Sequence, residues 1–281
     1  MGNWMKTTLL LGLLTGLLLW IGDLMGGRQG LVLALGMAGL MNLVAYFFSD
    51  KIALAMHHAK PVDEAQAPEL YAIVAELTQR GGLPMPRLYL IPEAQPNAFA
   101  TGRSPSHAAV AVTEGLLRAM DREEVKGVLA HELAHVMNRD ILISSVAATL
   151  AGALTVLARM AGYAVMFGGG RDRDDRGGGL GGLFFMIVAP FAALLIQMAI
   201  SRSREYKADE GAARLTHNPE GLAAALEKLT AYAKKLPLAA TGQTAHLFIV
   251  SPLRGRSLLN LFSTHPPIEE RVARLRAMRL A

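Results

Sequence analysis

The sequence predicts a mainly helical α+β fold in a multi-pass membrane protein, with a small antiparallel sheet beside a metal-binding helix. Three observations predict it. Of the chain's 281 residues, 52% are hydrophobic and the mean hydropathy is +0.31, too apolar for an ordinary soluble domain. Uncharged runs near the length of a bilayer span recur along it. Residues 131–135 read HELAH, which on a helix sets His131 and His135 one turn apart on the same face.

Residues 7–22 and 31–48 carry no charge, and they read as a first membrane hairpin occupying residues 1–50. A cleaved leader is the alternative for the first run. Its positive flank is only Lys6, and no small-x-small site precedes Asp23, so a retained anchor is expected. Residues 51–140 form the first soluble piece. In it, Ala67 to Gln79 is helix-like, with Pro68 near the start and Gly81 and Gly82 as a stop. Arg87 to Ile91 alternates as a strand between Pro86 and Pro92, and NAFATG (97–102), SPSH (104–107) and AAVAVT (108–113) suggest an antiparallel hairpin leading to the HELAH helix. Asp121 and Glu124 have the spacing of a capping box. Val125, Leu129, Leu133 and Val136 then recur at three- and four-residue steps as a buried stripe, while Ala130 and Ala134 permit close approach of neighbours. Asn138, Arg139 and Asp140 read as a polar helix end at a membrane boundary.

Residues 141–200 read as a second hairpin. Its first arm, 141–168, is interrupted by Arg159 and softened by Ser144, Ser145 and Thr149; a buried amphipathic helix packed on the soluble part is the alternative there. The second arm, 180–200, contains Pro190, and the intervening glycine-rich 168–182 is a charged linker. Residues 201–281 form the second soluble piece. A helix starts at Asn218 and Pro219, and Thr264 to Pro267 precede a final basic helix. Split by the second hairpin, the two soluble pieces must join to make one core.

A net charge of +5 and a pI near 9.6 raise nucleic acid as a partner. Lys and Arg are scattered, however, with no basic stripe or aromatic stacking motif, so anionic lipid headgroups account for the charge better. Arg28 is the basic residue of the first hairpin's turn; Arg171, Arg173 and Arg176 in the second are matched by Asp172, Asp174 and Asp175. The positive-inside rule therefore places both termini and the soluble pieces in the cytoplasm. With no cysteine in the chain, disulfides and thiolate metal sites are excluded, and a metal must rest on nitrogen and oxygen.

Two imidazoles on one helical face can grip a single zinc ion, and Glu132 beside them can take a proton from the water it activates. That is the centre of a metallohydrolase, usually a peptidase. Such sites take one further protein ligand. The metzincin solution is excluded because it needs Gly at 138 and His at 141, where this chain has Asn138 and Ile141. In SRSREYKADEGAARL (201–215), Glu205 and Asp209 lie four apart on one face. Glu205 can ligate, and Asp209 can accept the ring N–H of a ligand histidine; the same spacing also fits a solvated, charge-patterned helix. By itself His265, next to Pro266, reads as a cap or surface group. Asn97, Ala98, Phe99 and Ala100 are either an ordinary hairpin strand or an exposed edge that pairs with an extended polypeptide substrate.

HELAHVMNRD, SREYKADEGAA, PNAFATG and FSTHPPIEERVARL, with two membrane hairpins, resemble the HtpX-type membrane zinc metalloproteases, relatives of the CAAX prenyl proteases. The resemblance covers essentially the whole chain. It implies a zincin-like catalytic domain, with His131, His135 and Glu205 as ligands of one zinc, Glu132 as base and Asp209 supporting a ligand. It further implies that His265 and Arg271 line the active site, His265 as an electrophile near the developing oxyanion and Arg271 bracing it or an acidic neighbour. The expected activity is a zinc-dependent endopeptidase of a bacterial-type inner membrane, cutting misfolded or damaged membrane proteins on cytoplasmic segments. Processing of lipidated peptides is an alternative, disfavoured by too few spans for a large intramembrane chamber. A chaperone or scaffold with a structural metal is another; an open, water-accessible metal position would speak against it, since structural zinc sites are closed and usually thiolate-rich.

Overall fold

The computed structural model describes residues 3–147, 149–150, 202–235 and 266–279. The glycine-rich linker, the expected span 180–200, most of 141–168 and His265 lie outside the described residues.

Helix α1, Asn3–Met56, is two arms broken at Gly26 and Gly27, where Gly27 has φ +51°. Met5–Asp23 and Gly26–Met56 are each long and apolar enough to cross a membrane. The arms fold back on each other. Asn42 Nδ2 donates to Thr15 Oγ1 at 2.9 Å, and Thr15 donates on to the Leu11 carbonyl at 2.9 Å. Such a relay keeps polar groups satisfied between apolar helices. Leu10, Leu14 and Ala45 pack there with Val146, Ala147 and Leu150, so the helical stretch beginning at residue 141 joins the hairpin. Val32, Leu33 and Leu40 face outward, fully apolar and exposed.

The second arm continues past the apolar stretch and docks on the sheet, where Ala53 and Leu54 pack against Ile91, Phe99, Ala109 and Ala111. The sheet has four strands, β1 (Lys60–Pro61), β2 (Arg87–Ile91), β3 (Ala98–Thr101) and β4 (Ala109–Thr113), in the order β1-β2-β4-β3. The expected β3–β4 hairpin is antiparallel, pairing Ala98 with Val112 and Thr101 with Ala109. The sheet as a whole is mixed, not antiparallel, because β2 and β4 run parallel. The chain reverses twice between them, and β4 returns into the slot beside β2, leaving β3 outermost. β4 is therefore buried on both faces: Ala109 and Ala111 face α1, and Val110 and Val112 face the main helical core.

Helix α2, Pro68–Gly81, starts on Pro and ends at Gly82 in the left-handed region, φ +60°. A short helix that periodicity did not reveal, α3 (Glu114–Ala119), follows β4 and is capped by Thr113, whose hydroxyl accepts from Leu116 N. Helix α4, Arg122–Met137, opens with the expected capping box, Asp121 and Glu124 each accepting the other's backbone N–H at 2.9 Å. Its stripe of Val125, Leu129, Leu133 and Val136 is buried as the spacing predicts, and so are Val128, Ala130, His131 and Glu132. α4 is thus a central helix covered on nearly every side. Helices α5 (Arg202–Thr216) and α6 (Pro219–Lys235) pack along it, and α7 (Ile268–Ala277) lies against both of them.

Small residues let these helices approach. A Cβ on Gly211 of α5 would lie 2.8 Å from the Ala134 methyl, and one on Gly127 of α4 would lie 2.5 Å from the Leu222 backbone nitrogen in α6. Gly127→Ala is therefore expected to force α4 and α6 apart and destabilise the protein by about 1–3 kcal/mol. Gly36→Ala, where nothing lies within 4 Å, should leave stability nearly unchanged. Thermal unfolding of the detergent-solubilised variants checks both.

Candidate metal centre

Helical spacing on α4 brings the His131 and His135 rings to 4.8 Å between centroids, nearly perpendicular at 87°. Glu205, in the first turn of α5, meets both: one carboxylate oxygen lies 3.7 Å from His131 Nε2 and the other 3.7 Å from His135 Nε2. The three ligand atoms all lie within 4.8 Å of one another. A tetrahedral zinc with bonds of about 2.1 Å spaces its ligands by roughly 3.4 Å. A small closure therefore suffices, and the nitrogen and oxygen donors suit the ion.

Each imidazole is held from behind. Asp209, one turn beyond Glu205, lies 3.0 Å from His131 Nδ1. Arg271 of α7, completely buried, clamps Asp209 with two bonds, Nε to Oδ2 at 2.8 Å and Nη2 to Oδ1 at 2.6 Å, and sits 3.7 Å from Glu205. On the other ring, His135 Nδ1 bonds Asp140 Oδ2 at 3.2 Å. With both Nδ1 atoms engaged, both Nε2 atoms are left toward Glu205.

Asp140 reaches back through a tight turn. Arg139 adopts φ +55°, the Arg139 N–H donates to the Val136 carbonyl, and the Asp140 N–H donates to the His135 carbonyl at 2.9 Å. This is a Schellman closure with arginine in the left-handed position normally given to glycine. The turn expected to be a polar helix end thus also carries Asp140 to the His135 ring. The signal was present in the chain as an acid five residues beyond His135.

Glu132 points to the sheet, where its Oε2 accepts the Ala100 N–H at 2.9 Å. β3 is the sheet's outer strand as expected, but Asn97, Ala98, Phe99 and Ala100 are all buried, in contrast to the exposed edge expected. α4 and α1 both pack against this strand. Phe99 turns away from the centre to meet His57, with ring centroids 5.2 Å apart.

Burial works against a charge on His131, yet its bonds to Asp209 and Glu205 outweigh burial and lift its pKa from 6.5 to about 9. Burial pushes the Glu132 carboxyl above its usual range, opposed by the two histidines. For Asp209 burial is again the largest influence and an upward one, but the bonds and charge of Arg271 overcome it and hold the carboxyl low.

Two helix-borne histidines, a carboxylate between them and a second carboxylate from another helix are the layout of a metallopeptidase. Comparison with known proteins makes the assignment specific. The chain belongs to peptidase family M48, whose family model matches residues 64–279. It is 60% identical over 282 residues to the protease HtpX homolog of Syntrophobacter fumaroxidans, covering 99% of this chain and 100% of that relative. The protease HtpX homolog of Desulforapulum autotrophicum is 58% identical, with 98% and 90% covered. A crystal structure of S. mikatae Ste24p shares the fold, with TM-score 0.53 and 18% identity, over 97% of this chain and 66% of that one. The protein is therefore a membrane zinc metallopeptidase.

Two outcomes are expected. The raised His131 pKa stabilises the metal-free protein fully below about 6.5, and that contribution is lost as pH rises through about 9. Zinc needs the unprotonated ring, so zinc affinity should climb across the same window, by at most about tenfold per pH unit; competition against a chromophoric chelator measures it. Asp140→Ala should weaken zinc binding about 10–100-fold with the fold retained. An unchanged affinity would show that Asp140 does not support His135.

Proposed function

We propose that this peptidase cuts extended soluble segments of misfolded or damaged membrane proteins, with His131, His135 and Glu205 holding zinc and Glu132 as general base. The observation that carries this reading is the bond from Ala100 N–H to Glu132, which sets the carboxylate between the ligand cluster and the outermost strand. His131, His135 and Glu205 would hold the zinc, which would supply Lewis acidity to polarise the scissile carbonyl and acidify a water. Glu132, its pKa raised by burial, takes the water's proton and returns it to the leaving amine, a task best done by a carboxyl tuned toward neutral pH. No covalent intermediate is required.

The outer edge of β3 supplies the binding. A substrate chain laid beside Ala98 to Ala100 bonds through its backbone and takes the Ala100 N–H from Glu132, releasing the carboxylate for proton transfer. Backbone pairing tolerates many side chains and demands an unfolded strand, which suits a quality-control protease. Arg271 acts through Asp209, fixing the His131 ring. His265, six residues earlier on the segment leading to α7, is assigned the electrophilic role near the developing oxyanion. The hairpin of residues 1–50 anchors a catalytic part made from 51–140 and 201–281, facing the cytoplasm of a bacterial-type inner membrane.

Glu132→Gln should keep its zinc and lose about 10²–10⁴-fold in cleavage rate. Zinc content, together with mass spectrometry of the products from a detergent-solubilised membrane substrate, with and without chelator, reads both. Cleavage at the wild-type rate would remove Glu132 from the mechanism, and cleavage insensitive to chelator would remove the metal.

A further inference from the structure

A cavity of about 690 Å³ lies where the membrane hairpin meets the catalytic part, outside the hydrolytic machinery. The hairpin contributes Tyr46, the helical stretch after residue 140 contributes Leu142, the β3–β4 connection contributes Arg103, Ser104 and Ser106, and the turn after α4 contributes Arg139. With Thr7 of the first arm, two guanidinium groups and four hydroxyls line one space. None of the described residues that line it is acidic.

Its height relative to a bilayer follows from the helix. Between Gly26 and Tyr46 the second arm rises roughly 30 Å at about 1.5 Å per residue, the thickness of a hydrocarbon core. Tyr46, Phe47 and Phe48 are exposed there, an aromatic belt of the kind that sits at headgroup level. Arg103 is held over this belt, its guanidinium 5.6 Å from the Phe47 ring centroid. Both arginines therefore stand at the level of lipid phosphates, against an apolar wall suited to the start of an acyl chain.

We propose that this cavity binds the phosphate of an anionic phospholipid headgroup between Arg103 and Arg139. The site rests on the membrane anchoring in the proposed function and on none of its chemistry. Arg139 belongs to the turn, at φ +55°, that presents Asp140 to His135. A phosphate on its guanidinium steadies that turn and ties the order of the metal centre to the lipid surface.

The test uses full-length Glu132→Gln protein in nanodiscs of phosphatidylcholine with or without phosphatidylglycerol, with retained lipid read by native mass spectrometry. Phosphatidylglycerol should be retained over phosphatidylcholine, and Arg103→Gln and Arg139→Asn should each cut that preference about fivefold. Asn is chosen at 139 because it tolerates the left-handed backbone, and an unchanged far-UV circular dichroism spectrum in both variants confirms the fold. Arg118→Gln, an exposed change on α3, should keep the preference. Three results overturn the proposal: no preference in the parent protein, equal loss in Arg118→Gln, or thermal protection by inorganic phosphate in pure phosphatidylcholine discs matching that by phosphatidylglycerol. Because the parent here does not depend on cleavage, failed proteolysis by the wild type would sink the proposed function and leave this result standing.

Discussion

The buried Arg271–Asp209 pair is the constraint on which the metal centre depends. A guanidinium with no exposed surface costs several kcal/mol to desolvate, and only close, well-aligned partners offset that. Asp209 supplies both partner atoms at 2.6 and 2.8 Å and turns the same carboxylate to His131 Nδ1 at 3.0 Å. Three helices are thereby tied at one point: α7 through Arg271, α5 through Asp209 and α4 through His131. Removing Arg271 or Asp209 takes from the other its closest opposite charge, so α7, far from the HELAH motif in sequence, is as much part of the centre as α4.

Charge balance explains why the surroundings are acidic. Glu205, Asp209 and Asp140 surround the two imidazoles, with Arg271 beside the first two and Arg204 3.9 Å from the third. Without metal, a proton on His131 offsets part of this negative charge, which is what its raised pKa expresses. A divalent cation performs the same office when the proton leaves. Glu132 stands apart: its carboxylate accepts the Ala100 N–H, and burial pushes it above the usual carboxylate range.

The chemistry of this chain was legible where it is local. Helical spacing gave the His131–His135 pair, the Glu205–Asp209 face and the Asp121–Glu124 box, because each is fixed within one or two turns. What was not legible depends on distant contacts or on an unusual backbone. The parallel β2–β4 pairing follows from β4 entering between β2 and β3, a choice no alternation pattern encodes. The burial of β3 depends on α1 continuing beyond its apolar stretch. Asp140 escaped because its route to His135 requires arginine at φ +55°, where sequence rules look for glycine or asparagine. Arg271 was placed near an acidic neighbour by resemblance, and its partner emerged only from the packing of α7.

The continuity of α1 also ties the sheet to the membrane hairpin. Beyond Tyr46 the helix runs unbroken to Met56, roughly 15 Å further at about 1.5 Å per residue. Its last turns are pinned to the sheet by Ala53 and Leu54, and near them Asp50 pairs with Arg87 at 2.7 Å. At the other end of β3, Thr101 Oγ1 lies 2.7 Å from Ser145 Oγ, next to Val146, which packs on the same hairpin. The strand that meets Glu132 is thus fixed at both ends by the apolar helices, which keeps the Ala100 N–H within 2.9 Å of that carboxylate.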